Sequence, residues 1–276
     1  MKAARRILRN RSLVIGGVIV AGMFLIAAFA PWIAGYNPNA MDMGHRLEGP
    51  TGIHWLGTDN FGRDLWARMA YGSRISVLIA LVSVAVSAAL GTAVGLCAGY
   101  FGGTLDLLVM RVVDLVLGFP IIILSLGLVA ALGPGPINVA IALIFVFWGQ
   151  YARVVRAVVL AEKQVSYVEA ARAIGASTPR ILFHHVFRNS WAPVLVLATL
   201  GMGTAILSES ALSFLGFGVQ PPAPTWGWTL SYGIRFLRDD PWLSTVPGLA
   251  IMITVLGYNL FGDGLRNILD PRGVSR

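Results

Sequence analysis

The chain has 276 residues, 56% of them hydrophobic and only 12% charged, with a formal net charge of +8. Soluble domains carry about 25% charged residues, so half of the usual solvating surface is missing, and the mean hydropathy is +0.73. These values exclude an ordinary soluble domain and make the positive charge a matter of membrane topology rather than nucleic-acid binding. The lone cysteine, Cys97, excludes an internal disulfide and a cysteine metal cluster.

No Asp, Glu, Lys or Arg occurs in Ser12–Ala40, Ile75–Leu105, Leu115–Ala152, Asn189–Ser208 or Pro241–Gly262. A bilayer core about 30 Å thick needs about 20 apolar residues at a helical rise of about 1.5 Å. The pattern predicts an all-α membrane protein with six transmembrane helices.

In chain order, a basic segment (residues 1–12) precedes a first span at Leu13–Ala34. Its basic start and the Ala28-Phe29-Ala30 triplet resemble a cleavable signal. However, the apolar stretch exceeds the usual ~7–15 residues of a signal core, and Pro31 would directly follow the cut, so it reads as a retained helix. An outer loop (35–74) leads to a second span, Ile75–Tyr100, in which Gly91, Gly95 and Gly99 form a small-residue face for close helix approach. The third and fourth spans, Met110–Leu132 and Ile137–Leu160, are separated by Gly133-Pro134-Gly135-Pro136, which cannot continue a helix. Asp114 lies one turn from Arg111, predicting a local ion pair.

A basic loop (161–190) precedes the fifth span, Trp191–Phe214. The loop 215–245 carries Pro221, Pro222, Pro224, Trp226, Trp228 and Trp242, read as aromatic anchors at the membrane boundary rather than a substrate cage. The sixth span, Val246–Gly264, ends in a tail, 265–276. An even span count puts both termini on one side, with 15 of the 21 basic residues. The positive-inside rule makes that side cytoplasmic, and the transmembrane domain covers residues 13–264.

The loop between the fourth and fifth spans carries the clearest functional pattern. Val165, Val168, Ala171 and Arg172 fall together at helical spacing, and Gly175 is placed to end that helix. Ser177 or Thr178 caps the next, with Pro179 in its first turn, and Ile181, Leu182, Val186 and Phe187 give it an apolar side. The expectation is a helix–turn–helix knob on the inner face, shaped to seat in a groove of a partner.

Glu169-Ala170-Ala171 followed by Gly175 resembles the EAA motif of ABC-type importer permeases. Three further segments resemble the peptide/nickel group, specifically dipeptide and oligopeptide permease C. They are Gly57-Thr58-Asp59 with Gly62-Arg63-Asp64 (GTDxxGRD), Leu212-Ser213-Phe214-Leu215-Gly216 (LSFLG), and the closing run from Asn259-Leu260 through Gly262-Asp263 and Leu265-Arg266 to Asp270-Pro271-Arg272. One departure is Arg188, where the family commonly has proline, which bears on the entry to the fifth span.

The resemblance implies the type I ABC importer permease fold and a bacterial inner-membrane subunit that is not an enzyme. It implies a second, homologous permease, two cytoplasmic ATPase subunits and an extracytoplasmic solute-binding protein. It also implies that Tyr167, Val168, Glu169, Ala170, Ala171, Arg172, Ala173, Gly175 and Ala176 couple the subunit to the ATPase. The cargo it implies is di- or oligopeptides, with nickel, glutathione or another small solute as the alternative.

This chain has no Walker A lysine: its only lysines, Lys2 and Lys163, follow Met1 and Glu162. ATP and Mg are therefore expected on the partner ATPases, and no cofactor on this chain. Glu209 in the fifth span has two readings, a ligand for a peptide amine in the translocation path and a packed structural carboxylate. His184 and His185 point to different sides of a helix, against a shared metal. A secondary transporter, the remaining rival, would be expected to show paired intramembrane acids or broken helices at midplane.

Overall fold

The computed structural model describes residues 10–168, 174–182 and 187–269. Among the described residues the chain is helical, with no strand beyond an isolated bridge between Thr58 and Asp64. Helix α1 (Arg11–Ile33) opens on Asn10, whose side chain accepts from the Leu13 amide. At about 1.5 Å per residue it is about 34 Å long, the thickness of one bilayer crossing.

Helix α2 (Leu65–Phe101) begins ten residues before the expected start of the second span. Arg68 reads as a loop residue in the sequence. In the fold it is buried, facing the Asp59 carboxylate at 3.5 Å and donating to the Pro38 carbonyl at 3.0 Å. Those partners let the helix start early, and Asp64 caps it by accepting from the Ala67 amide.

The third span departs from the expected single helix Met110–Leu132. It is two helices, α3 (Gly103–Gly118) and α4 (Ile121–Leu132), bent by 96°. Pro120 is the cause: it lacks an N–H and forces Phe119 into extended backbone (φ −92°, ψ 142°). Among the described residues, five helices are therefore long and apolar enough to cross a membrane, and the bent pair makes a sixth candidate.

Helix α5 (Pro136–Glu162) starts on the expected proline, and α6 (Phe187–Phe214) carries the fifth span with Arg188 exposed in its first turn. A short helix, α7 (Trp226–Arg235), occupies the loop before α8 (Trp242–Leu269).

The core lies where α2, α5 and α6 meet, around Ile79, Ala80, Val84, Val139, Leu143, Val146, Met202 and Ile206. Helices α2 and α5 run parallel and in register, since Ser83 Oγ donates to the Ala140 carbonyl (3.4 Å) and Ser87 Oγ to that of Ile144 (3.3 Å). The glycine face predicted on α2 is the contact. A Cβ on Gly91 would overlap the Trp148 carbonyl, one on Gly95 would sit 2.5 Å from the Ala152 carbonyl oxygen, and one on Gly99 2.8 Å from Val159. A second close crossing, between α1 and α8, rests on Gly16, Gly257 and Gly264.

The bundle has two distinct ends. The loop end carries residues 34–64 and α7; the basic end carries Arg153, Arg156 and Lys163.

Candidate coupling segment and translocation path

At the basic end, the segment after α5 is tied down at its base by three polar side chains. Tyr167 donates its hydroxyl to the Glu162 carboxylate, and Asn189, at the start of α6, donates to Glu162 Oε2 (2.9 Å) and to the Tyr167 oxygen (3.0 Å). Partial desolvation, reinforced by the neighbouring Glu162, pushes the Tyr167 hydroxyl up to about 12. Lys163 adds a hydrogen bond from Nζ to the Gly99 carbonyl at the end of α2 (3.2 Å).

Beneath these bonds is a separate apolar core. Val168 and Ile181, one from each half of the segment, are buried against Leu96, Val155 and Val159, with Ala176 and Leu182 packed alongside. The sequence-predicted apolar side is thus real at Ile181 and Leu182, whereas Phe187 is 40% exposed. At the crest, Ile174 is 86% exposed and Gly175 has φ +82°, a left-handed turn that a glycine adopts without strain. Glu169, Ala170, Ala171, Arg172 and Ala173 lie outside the described residues, as do Val186 and the His184–His185 pair. Ser177 stands at the N-cap position of the next helical turn, but its side chain makes no capping bond.

Asp114 does not pair with Arg111. It accepts from Arg153 on α5 at 2.5 Å, while Asp106 holds Arg156 through both carboxylate oxygens. Helix α3 presents its acids to α5, so the pairs are between helices rather than within one turn.

At the loop end, the GTDxxGRD residues form a knot. Asp59 is buried, accepts from the Phe61 and Arg63 amides through Oδ1 (2.8 and 3.0 Å), and holds Arg63 Nε at 2.6 Å through Oδ2. Thr58 donates to the His45 carbonyl and accepts from the Glu48 amide. Asp64 adds His54 Nδ1 at 2.8 Å to its capping bond. Gly62 is obligatory, because it sits at φ +70° with the Asp42 carbonyl where a Cβ would be. Outside the knot, Asp42 is held below the usual carboxylate range by His45, and His45 is raised in turn by Asp42. Sequence reasoning identifies this motif only as a signature; its structural role depends on partners up to 20 residues away.

The LSFLG residues end α6 with paired reverse bonds, Phe217 N–H to the Leu212 carbonyl and Gly216 N–H to that of Ser213, with Gly216 at φ +87°. Glu209, one turn earlier, is fully buried inside this single subunit and accepts from Ser213 Oγ at 2.7 Å. A side chain lining a path between two subunits must be exposed on each alone. Glu209 has no such surface in this structure, where it packs inside the subunit against Ser213.

Trp226 is likewise no membrane anchor. It is 1% exposed, donates Nε1 to the Met69 carbonyl at 3.0 Å and rests on Gly72, plugging α7 into α2. Trp242 is 45% exposed, as an anchor requires.

Comparison with known proteins agrees with this architecture. Residues 91–273 match the family model described as binding-protein-dependent transport system inner membrane component. Residues 2–50 match that of the N-terminal TM domain of oligopeptide transport permease C. The chain is 42% identical over 274 residues to the dipeptide transport system permease protein DppC of Alkalihalophilus pseudofirmus, covering 99% of this chain and 90% of that protein. It is 47% identical over 270 residues to DppC of Escherichia coli, covering 96% and 90%. With a family model covering well over half its length and relatives matched nearly end to end, the chain belongs to the membrane components of binding-protein-dependent transport systems.

Proposed function

We propose that this chain is one of two permease subunits of an ATP-driven importer of di- and oligopeptides. The basic end faces the cytoplasm, as the placement of lysine and arginine favours, and both termini lie there. A second, homologous permease completes the passage. Two ATPase subunits, which bind ATP and Mg, dock beneath, and a solute-binding protein delivers cargo to the loop end. The cargo class rests on the dipeptide permease relatives.

The observation that carries the reading is the coupling segment. Its crest, Ile174 and Gly175, is exposed, while its base is fixed by Val168 and Ile181 in a core shared with α2 and α5. A force applied at such a crest is transmitted to the helices rather than absorbed by a loop. Tyr167 and Ala176 belong to the base, and residues 169–173 are assigned to ATPase contact by their EAA motif alone.

The test is affinity recovery of the tagged chain in mild detergent, followed by reconstitution with the recovered partners. A second permease and ATPases should co-purify, and dipeptide uptake should stop with vanadate. Recovery of this chain alone, with uptake that follows a proton gradient and ignores ATP, overturns the reading.

A further inference from the structure

The Gly133–Pro136 turn lies at a depth that can be traced through packing contacts. Helix α1 crosses the bilayer in about 34 Å, so its middle, near Gly22, marks the bilayer centre. On α8, Gly257 packs against Ile19 of α1, and a Cβ on Gly203 of α6 would meet Val255 and Tyr258 of α8 at 3.4 and 3.5 Å. Gly201, two residues along α6, is in turn beside Val84 of α2 at 3.8 Å. Val84 is therefore nearly level with Ile19.

Ser83 is bonded to Ala140, and Pro136 lies one turn closer to the loop end, about 6 Å at the helical rise. This places the turn level with the middle of α1. Measured along α2, the same level is Ile79, about 21 Å from Leu65. The chain rises to this level through α4, which at 12 residues is about 18 Å long, too short to cross a bilayer.

We infer that α3, α4 and α5 form a re-entrant hairpin whose tip, Gly133–Gly135, ends near the bilayer centre and lines the water-filled passage. Backbone that leaves helical form at that depth is tolerated only when sealed in protein or bathed by water. The tip is not sealed within the subunit. Pro134 is exposed and Ile137 is 72% exposed. Asn138 Nδ2 satisfies the Leu132 and Gly133 carbonyls, both at 3.0 Å, but no side chain caps the start of α5. Uncapped N–H groups beside an irregular turn suit water and the polar backbone of a peptide, and do not suit lipid. The positive φ of Gly133 (+93°) and Gly135 (+138°) turns the chain back within three residues. The cargo part of this inference rests on the importer reading; the depth and water exposure do not.

The test uses Pro134→Cys in a Cys97→Ser background, in the full complex in proteoliposomes, with a charged, membrane-impermeant methanethiosulfonate. Leu25→Cys on the exposed face of α1 serves as the lipid control, and Asn39→Cys at the loop end as the free-solvent control. Pro134→Cys should react at least tenfold faster than Leu25→Cys and more slowly than Asn39→Cys. Its rate should change at least fivefold on vanadate trapping, and modification should block uptake. A rate no faster than Leu25→Cys overturns the water-lined tip. A rate equal to Asn39→Cys and indifferent to trapping overturns the depth. Should the partners fail to assemble or uptake ignore ATP, the importer reading fails, while the rate order without nucleotide still decides the re-entrant tip.

Discussion

Removing the Asp59 carboxylate should open the loop-end knot. Asp59 is the shared counter-charge of Arg63 at 2.6 Å and Arg68 at 3.5 Å, whose side chains are only 6% and 2% exposed. Asp59→Ala leaves two buried cations facing each other and strips two backbone amides of their acceptor. Breaking a buried pair by deleting one partner costs about 3–5 kcal/mol. At about 1.4 kcal/mol per decade, the knot's opening equilibrium rises roughly 10²–10⁴-fold.

Tryptic cleavage after Arg63 reads this directly, because that bond is buried until the knot opens. When reclosing outpaces cleavage, the rate follows the open population. Asp59→Asn, which keeps an oxygen for the two amides and loses only the charge, should fall between the parent and Asp59→Ala. Arg68→Met on the Asp59→Ala background should recover part of the loss by removing an orphaned cation. A cleavage rate for Asp59→Ala within threefold of the parent would refute the argument.

At the α2–α5 crossing, Gly95→Leu places its Cβ against the Ala152 carbonyl, and such overpacking costs at least about 1–3 kcal/mol; the melting temperature of the purified subunit should drop, and an unchanged value would remove the close-packing assignment. Asp106→Arg should lower stability by setting like charges face to face, and the swap with Arg156→Asp should restore most of it; a double variant no better than the single denies the pair across α3 and α5. Ile181→Ala empties the base of the coupling segment at a cost of about 2–5 kcal/mol. Its expected signature is ATP hydrolysis persisting while uptake falls, and normal uptake per ATP would contradict a rigid base. Glu209→Gln should leave the KM for a dipeptide unchanged, and a tenfold rise with intact assembly would return Glu209 to the passage.

What the sequence made legible was whatever depends on neighbours along the chain. The apolar runs locate α1, α5, α6 and α8 to within a few residues, since a bilayer imposes length locally. The glycine face on α2 was readable from its four-residue repeat alone. Where a partner lies far along the chain, the local signal misleads. Arg68 suggests a loop until the Pro38 carbonyl and Asp59 are in place. Trp226 suggests a membrane anchor until Met69, 157 residues away, supplies its acceptor. Gly16, Gly257 and Gly264 carry no periodic signal, because their crossing joins opposite ends of the chain. The break at Pro120 is different: proline after an apolar run is a local signal, and it marks the bend directly.

The motifs that identify the family share a physical character that constrains where cargo recognition can reside. In GTDxxGRD, Thr58, Asp59, Arg63 and Asp64 are all buried, and their bonds run to other residues of the same subunit. In LSFLG, Ser213 is turned inward to Glu209, and the backbone closes on itself at Gly216. Polar groups so engaged have no surface to offer a peptide, so these motifs mark the fold rather than the ligand. Chemistry facing the cargo must come from residues that the single subunit leaves exposed at membrane depth. The tip at Gly133–Gly135 meets that condition with backbone groups, which every peptide can engage whatever its side chains.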